Sequence, residues 1–486
     1  MMGGGEKLFN LRQRLMRAPA GFGSSLLTRR ENRFATDMGT SAPTRCTVLK
    51  TAALMTTALA APFVRGAHAA GTLSVGFWDH WVPGATEVLQ KLCREWAEKE
   101  KAELAFDAIT SNGDKIVLTI QAEAQARAGH DILHFPIWYG AGQADNLEPV
   151  DDLVAQQITR FGEPSPGCAY LGKINGHWIG VPTCYGSSAL PPCARIDRFK
   201  EYVGLDVTEM YPPPGIERNQ RLIDNWTWEY FLTAAEKCFK AGYPFGLTMS
   251  TATDGVNTND SIFASHGVRL VDVEGNITVR SDGTRQMLEY FRRLTQFLPE
   301  SVFAWDNASN NKFLISGQGS LIMNPPSAWA VAVRDAPKVA EHLWTFSSPM
   351  GPKGRFDSGT YSHWGIWRFA KNKSAAKSLL AFLSTRDNQE QLVTAGRGFD
   401  IPPFKTMMDF KVWEDEGPPK GTNYNFPPRG DVVVNVVGYP APVKIGTQMY
   451  AQSTICKMIA LYARQGKSMD AAMDFAEAEI EGFMRT

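Results

Sequence analysis

The stretch LSVGFWDHW at 73–81 sets the pattern of the fold. Its apolar beginning, 73–77, predicts a short buried strand. A Pro-Gly pair follows at 83–84, and then an amphipathic helix to about Glu100. Further along, we predict a strand at 103–108, a helix from Asn112 to Gly129 and a strand at 131–135. Strands that alternate with helices predict parallel βαβ units under helical cover, so the fold class is α/β.

The later chain continues this pattern after two proline-rich stretches at 188–193 and 211–215, which indicate a new region. Strands are predicted at 178–182, 319–323 and 365–369, and a hairpin at 271–279. Thr227 is the expected N-cap of a helix that runs to Lys240. Two helices are expected to close the chain.

The residues before this fold resemble an export leader. The segment at 47–64 is rich in Ala and Leu but too short for a confident membrane span. Ala67-His68-Ala69 matches the small-x-small pattern of signal-peptide cleavage. TRCTVLK at 44–50 resembles a twin-arginine signal in which Cys46 replaces the second arginine, so export by Tat or by Sec stays open. We therefore expect 1–69 to be a leader, cleaved near Ala69, and the mature protein to be periplasmic.

Composition limits the partners of the mature chain. The whole sequence has 50 Lys+Arg and 50 Asp+Glu, and removal of the basic leader leaves about 40 and 47. With no basic block, nucleic acid is not an expected partner. No later segment is apolar and long enough to span a bilayer. Six cysteines remain, and either Cys184 pairs with Cys193 or all are buried free thiols.

Motifs for common enzyme chemistry are absent from the sequence. It has no P-loop, no dinucleotide-binding glycine pattern, no His-Glu-x-x-His and no Gly-x-Ser-x-Gly. Asp79, His80 and His363 would be the only candidate proton-handling set, and such a set arises easily by chance. We expect no catalysis, no cofactor and no metal.

Aromatic residues follow several predicted strands, where open α/β sheets bind their ligands. Aromatic faces pack on sugar rings, while neighbouring polar groups take the hydroxyls. The candidate ligand-binding residues at strand ends are Trp78, Asp79, His80, Trp81, Trp138, Tyr185, Trp329, Tyr361, His363 and Trp364.

Seven segments, in this order, resemble one family. They are QARAGHDIL (125–133), LEPVDDL (147–153), INGHWIGVP (174–182), NWTWEYF (225–231), FLISGQGSLIM (313–323), PMGPKG (349–354) and DNQE (387–390). Together they are similar to the extracellular solute-binding proteins of ABC importers, in the branch that includes maltose-binding protein. One segment departs from the family, because LPPCARIDRF at 190–199 lacks the aromatic pair usual there.

The resemblance implies a two-lobe periplasmic binding protein fold of type II, with a ligand cleft between lobes joined by a hinge. We place the N-terminal lobe at 70–183 and 357–396, and the C-terminal lobe at 184–356 and 397–486. The family pattern also places Asp79, Trp138, Tyr185 and Trp329 at ligand contacts, with Thr253 and Asp254 as further candidates. It implies a monomer that captures a small-molecule ligand by closure and delivers it to the transmembrane subunits of an ABC permease.

Three ligand classes stay open at this point. The first is a sugar, oligosaccharide or polyol. The second is a charged metabolite such as a polyamine, quaternary amine or phosphorylated polyol. Carboxylates bind cations, and histidine or arginine binds anions. Aromatic cages also hold quaternary ammonium groups. The third is the substrate of an exported enzyme on the same scaffold.

Overall fold

Two large β-sheets organise the described chain, two long strands join them, and β4 and β5 form a separate two-stranded sheet. The computed structural model describes residues 71–111, 114–430 and 432–485; the predicted leader at 1–69 and the predicted helix start at Asn112 lie outside these ranges. The strands are β1 (Leu73–Trp78), β2 (Leu104–Ile109), β3 (Ile132–Pro136), β4 (Lys173–Ile174), β5 (His177–Trp178), β6 (Val181–Ala189), β7 (Pro192–Arg195), β8 (Phe245–Gly246), β9 (Leu321–Met323), β10 (Leu343–Thr345), β11 (Met350–Gly351), β12 (Gly354–Ile366) and β13 (Val432–Asn435).

Helices cover both sheets. The helices between β1 and β6 are α1 (Ala85–Glu100), α2 (Lys115–Ala126), α3 (Asp151–Phe161) and α4 (Pro166–Gly172), and β12 is followed by α14 (Lys373–Leu383) and α15 (Arg386–Ala395). Between β7 and β11 come α5 (Ile196–Arg198), α6 (Val207–Met210), α7 (Gln220–Asn225), α8 (Trp228–Lys240), α9 (Thr253–Ser265), α10 (Asp282–Leu294), α11 (Ser309–Ile315), α12 (Ser327–Asp335) and α13 (Pro337–Ala340). The chain ends with α16 (Val412–Asp415), α17 (Val443–Gln452), α18 (Thr454–Ala463) and α19 (Met469–Arg485).

The first sheet confirms the predicted βαβ beginning. Its order is β11-β12-β3-β1-β2, and β6 and β13 also pair with β12. β1 runs parallel to both β2 and β3, and the observed bounds of all three lie within one residue of the prediction. Thr227 caps α8 as expected, since its hydroxyl accepts a hydrogen bond from the Tyr230 backbone N–H at 3.2 Å. The second sheet has the order β10-β7-β9-β8.

Two predicted strands were wrong in extent. The strand expected at 178–182 is divided between β5 and the start of β6, with residues 179–180 in neither. The strand expected at 365–369 is the end of β12, which begins eleven residues earlier at Gly354. The middle of β12, SGTYSH at 358–363, has mostly small and polar residues and no strand signal of its own. They form a buried strand because β6 pairs with them antiparallel and takes up their backbone hydrogen bonds.

β6 and β12 carry the chain from one sheet to the other. Their pairing shifts register, so that Thr360 pairs with Ser188 but Ser362 pairs with Thr183. The extra residues of β6 form a bulge, where Gly186 has a φ of +79°. A third segment at 399–403 crosses beside them, because the Ile401 N–H donates to the Ser187 carbonyl at 2.7 Å. The expected lobe boundary at 183/184 lies inside β6, and the one at 356/357 lies inside β12. The boundary at 396/397 lies just before the third segment. All three boundaries stay predictions.

The six cysteines after the leader are all free and buried. Cys184 and Cys193 therefore form no disulfide, and the alternative of buried thiols is the one found. Burial raises the pKa of every one of these thiols, so they behave as small apolar groups in the core. No helix in the described ranges has the length and hydropathy of a membrane span.

Candidate functional site

A cavity lies where the three crossing segments meet. The carboxyl ends of β1 and β3 open onto it from one side, as parallel strands of an α/β sheet do. The first turns of α9 and α12 and the end of β9 border it from the other side. Gly186 and Ser188 of β6 and Thr360 and Ser362 of β12 form its wall at the crossing. The fold therefore places residues from both sheets around one cavity.

Aromatic rings form one end of the cavity. Trp78 is the last residue of β1, and its indole Nε1 donates to the Ser111 hydroxyl at 3.2 Å. Phe399, on the third crossing segment, lies 6.2 Å from the Trp78 ring between centroids. Trp81 lines the same space and is partly exposed. Such rings present flat apolar faces to a ligand.

The turn after β3 separates two neighbouring aromatic residues. Ile137 has a φ of +47°, which a β-branched residue rarely adopts, and the chain bends there. Trp138 is fully buried, donates to the Val437 carbonyl at 3.1 Å and packs beside Gly446 of α17. Tyr139 instead lines the cavity, with its ring 5.9 Å from that of Tyr450. The strained turn thus directs the tyrosine, rather than the tryptophan, to the site.

Asparagine amides form the other end of the cavity. Asn324 follows β9 directly, and its Nδ2 donates to the Ser327 hydroxyl at 2.9 Å and also to the Asn311 Oδ1. Asn311 in turn donates to the Ser327 hydroxyl at 3.0 Å. This network fixes amide groups that can donate to and accept from a polar ligand. Asn307 lines the same end.

Asp254 adds a carboxyl to the amide end. It lies in the first turn of α9, where Asn310 Nδ2 donates to its Oδ2 at 2.8 Å. Burial raises the pKa of this carboxyl to about 7, the Asn310 hydrogen bond opposes that rise, and the charge of Asp306 adds to it. The side chain is partly exposed to the cavity. It is therefore poised between its neutral and charged forms near neutral pH.

Two histidines lie behind the aromatic end. His134 of β3 lines the cavity, its Nε2 lies 3.1 Å from the Ser362 hydroxyl, and its Nδ1 has no partner. Burial lowers the pKa of His134 to about 3, so the ring is neutral at pH 7. His80 accepts at Nδ1 from the Val82 N–H at 2.9 Å, which leaves Nε2 to donate to Asp400 at 3.2 Å. Asp400 also accepts from the Gly186 N–H at 2.7 Å.

Four of the twelve residues predicted from sequence line the cavity: Trp78, Trp81, Thr253 and Asp254. The other eight do not border it: Asp79, His80, Trp138, Tyr185, Trp329, Tyr361, His363 and Trp364. Their roles as ligand contacts stay predictions.

Each of these eight has another environment in the structure. Asp79 is exposed and accepts a hydrogen bond from Thr86 at 2.9 Å. Tyr185 is buried and donates to the Trp78 carbonyl at 2.9 Å, so it supports the residue that lines the cavity. His363 lies 3.5 Å from the Cys168 sulfur, and burial lowers its pKa to about 4. The remaining aromatic residues of the eight are fully or nearly fully buried: Trp138, Trp329, Trp364 and Tyr361.

Several lining residues had no place in the sequence prediction: His134, Tyr139, Asn307, Asn311, Asn324, Phe399 and Tyr450. A signal existed for two of them, because Tyr139 and Asn324 follow predicted strands. The rest come from loops and helices whose position depends on the tertiary fold. No group of three His, Cys, Asp or Glu side chains within the described ranges is arranged to hold a metal ion.

A cavity lined from both sheets beside the crossing strands is typical of two-lobe binding proteins. The model of the bacterial extracellular solute-binding protein family matches residues 93–418. The chain belongs to this family of solute-binding proteins, which is not a family of enzymes. No curated protein matches the chain.

Solved structures show the same two-lobe fold at low identity. The maltose-bound MalE3 of T. maritima superposes with a TM-score of 0.66 and 19% identity, covering 84% of this chain and 98% of that one. A sugar transporter of Arthrobacter chlorophenolicus with bound laminaribiose has a TM-score of 0.66 and 10% identity, covering 85% and 99%. The acarbose receptor GacH of Streptomyces glaucescens has a TM-score of 0.66 and 16% identity, covering 85% and 99%.

Proposed function

We propose that this protein is the receptor of an ABC importer that captures a sugar, oligosaccharide or polyol. The observation that carries the proposal is the two-sided character of the cavity. Trp78, Trp81 and Phe399 offer flat apolar faces at one end, and asparagine amides offer hydrogen bonds at the other. A sugar has both an apolar ring face and a rim of hydroxyls, so it satisfies both ends.

The solved structures that this chain resembles support the same ligand class. The three similar structures were solved with, or compared with, maltose, laminaribiose and acarbose. These names describe those proteins, and for this chain they define the panel of ligands to test.

Capture proceeds by closure of the lobes around the crossing segments. The bulge of β6, with Gly186 at positive φ, interrupts the regular pairing with β12 where the lobes join. Irregular backbone of this kind absorbs a change of φ and ψ more easily than a continuous ladder, and hinge closure is the established motion of periplasmic binding proteins. Closure would remove the ligand from water and present one shape to the permease.

The remaining parts of the proposal concern the protein's place in the cell. We propose that it is exported by Tat or Sec, that the leader at 1–69 is cleaved near Ala69, and that the mature protein works in the periplasm as a monomer. Its partners are the transmembrane subunits of an ABC permease. The ligand is released unchanged, without bond breaking.

Calorimetry with maltose, laminaribiose, acarbose and a polyol such as mannitol tests the proposal. At least one of them binds the wild type, and Trp78→Ala weakens that binding by about ten- to a hundredfold, since a lost aromatic contact amounts to about 1–3 kcal/mol. Tyr243→Ala is the matched control, because this partly buried ring lies outside the cavity and packs on Tyr202.

Two results would refute the proposal. In the first, Trp78→Ala and Tyr243→Ala weaken saccharide binding equally, which would exclude a specific contact between the ligand and Trp78. The other is recovery of a chemically altered ligand by mass spectrometry, which would identify an enzyme.

A further inference from the structure

The charged side chains that line the cavity all have the same sign. They are Asp114, at the N-cap of α2, and Asp254, in the first turn of α9. No lysine or arginine is among the lining residues that the structure describes. In a site that is partly shielded from bulk water, an unbalanced carboxylate attracts cations and repels anions more strongly than it does in water.

Asp254 has no positive partner within the described protein. Its contacts are the Asn310 amide at 2.8 Å and, through its backbone N–H, the Asn307 Oδ1 at 3.3 Å. The nearest charged influence on its pKa is another acid, Asp306. A ligand group can therefore supply the donor or positive charge that this carboxyl lacks.

Both carboxylates act on the same end of the cavity. The Tyr450 hydroxyl donates to the Thr253 hydroxyl at 3.2 Å, beside Asp254. Its pKa is raised well above the ordinary value, first by burial and then by the charges of Tyr139, Asp254 and Asp114. Asp114 also raises the pKa of Tyr139. Both acids therefore lie close enough to this pair of tyrosine rings to influence it.

His134 does not offset this negative charge. It is 1% exposed, lines the cavity and is neutral at pH 7, because burial lowers its pKa to about 3. Its Nδ1 has no hydrogen-bond partner within the described protein. The cavity therefore offers hydrogen bonds and negative charge, but no cation.

We infer that Asp254, assisted by Asp114, selects the charge of the ligand: the site accepts neutral and amine-bearing saccharides and rejects saccharides with a carboxylate or phosphate. This inference rests on the proposed saccharide function and narrows it. It makes Asp254 a specificity-determining residue.

The test is calorimetry with matched disaccharides of three charges, at about pH 7.5. The probes are the neutral glucose disaccharide that binds most tightly, the glucosamine disaccharide with the same linkage, and the disaccharide with glucuronate at one ring. We expect the glucuronate compound to bind at least about tenfold more weakly than the neutral one, given the size of a charge–charge interaction in a partly dry site. The glucosamine compound binds at least as tightly as the neutral one.

Asp254→Asn reduces the discrimination between neutral and acidic disaccharide by about tenfold or more. Asp335→Asn is the control, since it removes the same charge from an exposed position outside the cavity, where Asp335 pairs with Arg334 at 2.6 Å. Asp114→Asn, at an exposed position, gives a second variant should Asp254→Asn not fold, and we expect a smaller change of the same sign.

The outcomes separate this inference from the proposed function. If saccharides bind but Asp254→Asn and Asp114→Asn discriminate between neutral and acidic compounds as the wild type does, the inference is overturned and the function stands. If the acidic disaccharide binds the wild type as tightly as the neutral one, the inference is also overturned. If no saccharide of any charge binds, the proposed function fails and the inference with it.

Discussion

Replacing Asp254 by asparagine is expected to stabilise the empty protein at alkaline pH and to change it little in acid. The carboxyl has a pKa of about 7 in the folded protein and an ordinary value of 3.8. The unfolded chain therefore loses this proton near pH 4, while the folded protein keeps it until about pH 7. Between those values the folded state binds more protons, so the free energy of unfolding falls as pH rises. Asparagine keeps the shape and does not titrate.

The magnitude follows from the distance between the two pKa values. The difference corresponds to at most about 4 kcal/mol, and we halve it because the side chain is partly exposed to cavity water. As the pH rises from about 4 to about 7, Asp254→Asn should then gain about 1–3 kcal/mol relative to the wild type. The neighbours Asp306, Asp114, Tyr450 and His134 are present in both proteins, so their titrations largely cancel in the difference.

Urea unfolding of the ligand-free proteins, followed by tryptophan fluorescence at several pH values, measures this difference. Asp335→Asn is the control, and we expect no such gain from it, because Arg334 lowers the pKa of the Asp335 carboxyl. A difference between Asp254→Asn and the wild type that does not change with pH would refute the reasoning. So would a gain that grows toward acid.

Three further substitutions test the packing around the cavity. Trp329→Ala should lower the free energy of unfolding by about 3–5 kcal/mol, because Trp329 is fully buried; a loss under about 1 kcal/mol in urea unfolding would contradict its place in the core. Asp400→Ala should cost about 3 kcal/mol, since it leaves the His80 and Gly186 N–H groups without their acceptor, and Asp400→Asn should recover most of that loss. Gly186→Ala should lower the melting temperature, because a Cβ at φ +79° would lie 2.9 Å from the His134 ring; an unchanged melting temperature would show that the bulge is not as described.

The beginning of the fold could be predicted from the sequence because its signals are local. β1, β2 and β3 are short apolar runs separated by helices with one apolar face, and each was predicted to within one residue. β12 was not, since a run of serine, glycine and threonine has no strand signal of its own. Its conformation depends on β6, which is more than 170 residues away in sequence and supplies its hydrogen bonds.

The cavity lies at strand ends that the sequence indicated, but the residues that line it are not always the ones named from the sequence. After β3 the sequence favoured Trp138, yet the turn at Ile137 directs Tyr139 to the cavity. After β9 it favoured Trp329, yet the cavity is lined by Asn324, which follows the strand at once. Which of two neighbours faces a cavity is decided by one backbone turn, and the pattern of residue types does not contain that information.

Small-angle scattering with and without a saturating saccharide tests the central claim most directly. The ligand is the member of the panel that calorimetry shows to bind, and mass spectrometry checks that it is recovered unchanged. The account predicts that the radius of gyration falls on binding, because the lobes close around the crossing segments, and that Trp78→Ala needs more ligand for the same fall. An unchanged radius of gyration at saturation would contradict it.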